Sequence, residues 1–154
     1  MTKRPYFICA FLFSALSLAQ TAEVQRFAVL PPHSQPSFPP ILLWDKGSYA
    51  AWTPSPSQIE VLESALPQIS ELKIKGYESS SIRIEHPEKC FRQYVGVLHR
   101  GKRRIYVNGF CVDFPPTNWR ERFYVVIDGD LGFWHAFYDP ETKTFSDLTI
   151  NPRA

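Results

Sequence analysis

Apolar and polar positions change their rhythm several times along the chain. Residues 6–19, YFICAFLFSALSLA, are almost unbroken apolar. Further on, Ile59, Leu62 and Leu66 recur at helical spacing and define one apolar face. Ser55 is a good N-cap, Pro56 suits the first helical position, and Gln58 closes a capping box. Glu60 and Glu63 fall in the early turns, where the helix dipole favours negative charge, and Pro67 ends or kinks the helix. Beyond residue 80 the rhythm shortens to strand type. Ser81–Glu85 alternates, while Arg92–Leu98 and Arg104–Cys111 are rich in Tyr, Val, Ile and Phe. Phe123–Ile127 and Phe133–Tyr138 flank DGDLG, which reads as a hairpin loop, and Phe145–Ile150 follows the turn DPETKT. These elements predict an α+β fold: one main N-terminal helix packed on a curled antiparallel β-meander of about four to five strands, cystatin-like or similar.

The apolar run 6–19 is about 14 residues, short of the roughly 20 a membrane span needs. Lys3 and Arg4 precede it, and Ser17 and Ala19 place small residues at −3 and −1 of a cleavage site. That is the layout of a secretory signal peptide over residues 1–19. Its removal leaves about 135 residues, enough for one core. Residues 20–51 then read as a proline-rich strap, with five prolines in PPHSQPSFPP (31–40), and residues 52–154 as a single α+β domain.

Loss of the leader also changes the charge. The chain holds 17 Lys and Arg against 15 Asp and Glu; without Lys3 and Arg4 the two sides balance at 15 each. A neutral mature chain gives no wide positive field for nucleic acid. Of three cysteines, Cys9 lies in the leader, so Cys90 and Cys111 remain.

Their relation follows from register. With Arg100-Gly101 as a two-residue hairpin loop, His99 faces Lys102, Val97 faces Arg104, Val95 faces Tyr106 and Phe91 faces Phe110. One step further, Cys90 meets Cys111 at a non-hydrogen-bonded position, where side chains come closest. In an exported chain that pair is expected as a disulfide. Zinc would need more ligands, and His33, His86, His99 and His135 have no ligand spacing, so no metal or cofactor is expected.

The same hairpin carries HRGKRR at its tip. Arg100, Lys102, Arg103 and Arg104 read either as a solvated, aggregation-resistant turn or as a contact for an anionic partner. His135 with Asp128, Asp130 and Asp139 is the one candidate acid–base group. Trp44, Trp52, Trp119 and Trp134 suit core or strap packing better than a ligand surface. No nucleophile elbow, metalloprotease helix, phosphate loop or dinucleotide fingerprint is present.

The run Arg92-Gln93-Tyr94, then IYVNGFC (105–111), Trp119, VVIDGD (125–130) and FYDPETKTFSDLTIN (137–151) resembles a family of small exported bacterial proteins with no established activity. The likeness covers residues 52–154. The chain departs from it at Asp130 and Pro152, where the family pattern has glycine. It implies an exported bacterial domain and brings no catalytic residues. The expectation is therefore a periplasmic or secreted module that binds or inhibits, partnered by an envelope protein or an acidic surface, with no stable membrane insertion once the leader is cleaved. A small hydrolase built around His135 is the alternative.

Overall fold

The computed structural model of the chain describes residues 25–32, 49–126 and 129–151. The expected leader, the stretch 33–48 with Trp44, and Asp128 lie outside them. Within the described residues the fold is α+β, with one helix and one mixed sheet.

The strands are β1 (Phe27–Val29), β2 (Tyr49–Trp52), β3 (Phe91–His99), β4 (Lys102–Phe110), β5 (Asp130–Asp139) and β6 (Thr144–Asn151). β3 to β6 form the expected antiparallel meander. The sheet as a whole is not purely antiparallel, because β1 pairs with β3 in parallel while β2 pairs with the same edge in antiparallel sense. β1 lies within the stretch 20–51 read as a strap, and β2 straddles its end, with Trp52 in the expected domain. Two strands thus precede the helix, which stands inside the chain order instead of leading the sheet.

The helix α1 spans Pro56–Ala65. Its start is built as the residue types demand: Ser55 Oγ accepts from the Gln58 N–H at 3.3 Å, and Gln58 Oε1 accepts from the Ser55 N–H at 2.9 Å. Near Pro67 the α-geometry gives way to a 3₁₀ segment, Leu66–Glu71. Ile59, Leu62, Leu66 and Ile69 are buried on one side of this unit, against Tyr94, Ile105, Val107, Trp134, Ala136 and Tyr138 of the sheet.

Two expected strands are absent. Ser81–Glu85 joins no ladder, although its alternation is real, with Ile84 buried and Ile82 exposed. Phe123–Val126 is not a strand either, so DGDLG does not close a hairpin and β4 pairs directly with β5. Side chains hold this loop down instead. Gln93, wholly buried, donates to the carbonyls of Trp119 and Arg122 and accepts from the Tyr124 N–H at 2.8 Å. Asn108 donates to Gln93 Oε1 at 2.9 Å and to the Tyr124 carbonyl at 2.8 Å. Two amide side chains on the sheet face thus do what a neighbouring strand would have done.

Candidate binding groove

The β3–β4 hairpin has the register counted from its turn, from Phe91 opposite Phe110 to His99 opposite Lys102. Arg100 and Gly101 both have positive φ, 51° and 76°, as a type I′ turn requires. At the base, Cys90 and Cys111 form a disulfide with Cα atoms 4.3 Å apart.

The basic tip does not form one surface. Arg103 points to the helix side, where its guanidinium lies 5.6 Å from the Trp52 ring. Arg104 points to the opposite side and pairs with Asp139. Strand alternation separates them. Arg100 and Lys102 are exposed at the turn itself.

The described residues of the acid–base candidate, His135, Asp130 and Asp139, are not brought together. His135 is buried and its Nδ1 lies 2.7 Å from the Tyr106 hydroxyl. Asp139 is four residues along the same strand, about 13 Å away at the usual rise. It accepts from the N–H groups of Glu141 at 2.8 Å and Thr142 at 3.3 Å. Burial raises its pKa; these bonds and Arg104 outweigh that and hold the carboxyl below its ordinary range. Asp130 sits at the far end of β5. Among the described residues, no three His, Cys, Asp or Glu side chains are grouped as a metal site would need.

A different cluster emerges where α1 faces β3. Arg92 is 3% exposed, a charge drawn fully inside. Its Nε donates to Glu63 Oε1 at 3.1 Å and to the Tyr94 hydroxyl at 3.0 Å, and Nη2 donates to Glu63 Oε2 at 2.8 Å. Nη1 donates to the carbonyls of Pro87 at 3.1 Å, Glu88 at 2.9 Å and Cys90. The Tyr94 hydroxyl donates to Glu63 Oε1. Burial works against the Arg92 charge, and Tyr94 and Glu63 more than offset it. Burial drives the Tyr94 hydroxyl well above its usual pKa, opposed by Arg92, so it stays a neutral donor.

Glu63 also lines a groove of about 720 Å³. Phe27 and Val29 of β1, Pro54 and Ile59 line it, with Thr53, Pro56, Glu60 and Ser64 at its margins. The volume falls in the range of ligand sites, roughly 300–1,000 Å³. Nothing in the periodicity pointed here. Its one trace was the Arg92-Gln93 pair, a charge and an amide set within an otherwise apolar strand. Of the four Trp residues expected in core or strap contacts, the three described ones pack so: Trp134 and Trp119 are buried, and Trp52 packs against the helix-side core.

Compared with protein-family models, curated proteins and solved structures, the chain matches none.

Proposed function

We propose that the mature chain is an exported, non-catalytic binding module of the bacterial envelope, of cystatin-like or similar architecture, with a protein as its partner. The observation that carries this reading is the groove between β1 and α1: it is apolar, of ligand size, and built on regular elements. The buried charged cluster beside it is already spent on structure. Glu63, Arg92 and Tyr94 satisfy one another, which suits a rigid wall. The leader-like start and the Cys90–Cys111 disulfide support an oxidising compartment.

The test is capture of partners from envelope extract by the mature protein and by Ser64→Trp, which plugs the groove from an exposed position. A partner held by the first and lost by the second, with the urea unfolding midpoint unchanged, supports the groove. Identical partner lists would remove it as the binding site.

A further inference from the structure

The groove adjoins a sheet edge that is open at Val29 among the described residues, and the two together specify an occupant. β1 pairs with β3 as Phe27 to Arg92, Ala28 to Gln93 and Val29 to Tyr94. The Arg92 N–H bonds the Arg26 carbonyl at 2.8 Å, and the Leu30 N–H bonds the Tyr94 carbonyl at 2.9 Å. Those bonds turn the main chain of residues 26, 28 and 30 toward β3, so the N–H and C=O of Phe27 and Val29 face outward. Arg120 occupies part of that edge, donating to the carbonyls of Phe27 at 3.2 Å and Gln25 at 2.6 Å. No described residue bonds the outward N–H and C=O of Val29.

The side chains beside that edge set the chemistry. Phe27, Val29 and Ile59 present apolar surface, while the charged members of the lining are Glu60 and Glu63, with no cation among them. Glu63 is matched by Arg92 behind it. Glu60 is exposed and is the charge left for a ligand to meet.

Resting on the groove as the binding site, we propose that its occupant is an extended peptide segment of the partner protein that adds along β1 at Val29. Its apolar side chains enter the groove and a Lys or Arg side chain reaches Glu60. Main-chain bonds to an edge supply affinity in such strand addition, and alternate side chains supply selectivity.

The experiment titrates ¹⁵N-labelled mature protein with three blocked heptapeptides. One alternates Val and Lys, one alternates Val and Glu, and the third is the Val–Lys peptide with alternate amides N-methylated. The expected result is a shift of the Val29, Ile59 and Ser64 amides by the Val–Lys peptide. The Val–Glu and N-methylated peptides bind at least tenfold more weakly, and Glu60→Lys lowers the Val–Lys affinity roughly fivefold. Equal binding of the Lys and Glu peptides overturns the charge selection, and equal binding of the N-methylated peptide overturns the edge pairing. Should no peptide shift these amides while Ser64→Trp still releases a captured partner, the peptide proposal fails and the groove stands. A captured partner insensitive to Ser64→Trp removes the groove itself.

Discussion

The indole of Trp134 lies flat across Gly109, its direct partner on the β4–β5 ladder. A Cβ on Gly109 would collide with the ring. The same arrangement recurs where Trp52 covers Gly96, with its Nε1 donating to the Val97 carbonyl at 3.1 Å. Each bare glycine makes room for a wide ring that walls the helix-side core.

Gly109→Ala therefore lowers stability by about 2–3 kcal/mol, since the indole must move within a packed core. Urea unfolding of the two proteins measures it. A loss under about 0.5 kcal/mol would show that Trp134 shifts freely and that the glycine is not required.

Arg92 feeds three carbonyls and a carboxylate at once, so its loss leaves several buried acceptors unpaired. Arg92→Met is expected to cost about 3–5 kcal/mol. Arg92→Lys recovers little of that, because one ammonium cannot reproduce the planar fork. Denaturant midpoints decide the matter, and a fully stable lysine variant contradicts the forked geometry.

The disulfide closes a loop with a sequence separation of 21. Reduction, or the double change Cys90→Ala with Cys111→Ala, should cost about 3 kcal/mol through the greater freedom of the unfolded chain. Paired unfolding curves with and without reductant test this. Coincident curves would mean that the ladder alone confines the hairpin.

Asp139 has its pKa lowered in the folded chain. A carboxyl with a depressed folded value adds stability above its unfolded pKa, roughly 4, and loses it as pH falls through the folded value. Asp139→Asn should therefore be less stable than the parent at pH 7, with the gap closing below about pH 4. Melting temperatures across that range give the answer; a gap that widens on acidification reverses the sign.

Much of the β3–β4 hairpin was legible because its determinants are local. A two-residue turn sets the register, and register sets the distance between Cys90 and Cys111. The helix start was legible for the same reason, since Ser55, Pro56 and Gln58 act within one turn. Local signals failed where distant partners decided the outcome. Phe123–Val126 has strand-forming residues, but the backbone N–H and C=O of Tyr124 bond to the Gln93 and Asn108 side chains. Phe27–Val29 is only three residues long, and its pairing lies over sixty residues away in sequence.

The amino-acid order by itself determined the helix cap, the hairpin register, the cysteine pairing and the neutral balance of the chain without Lys3 and Arg4. Each depends on residues a few positions apart or on simple counting. Only the tertiary structure decided that His135 and Asp139 stay apart, that Glu63 meets Arg92 and Tyr94, and that α1 and β1 leave a groove between them. Those relations depend on how elements pack across the sheet, because burial and long-range contact decide whether a charged side chain is paired, exposed or available to a ligand.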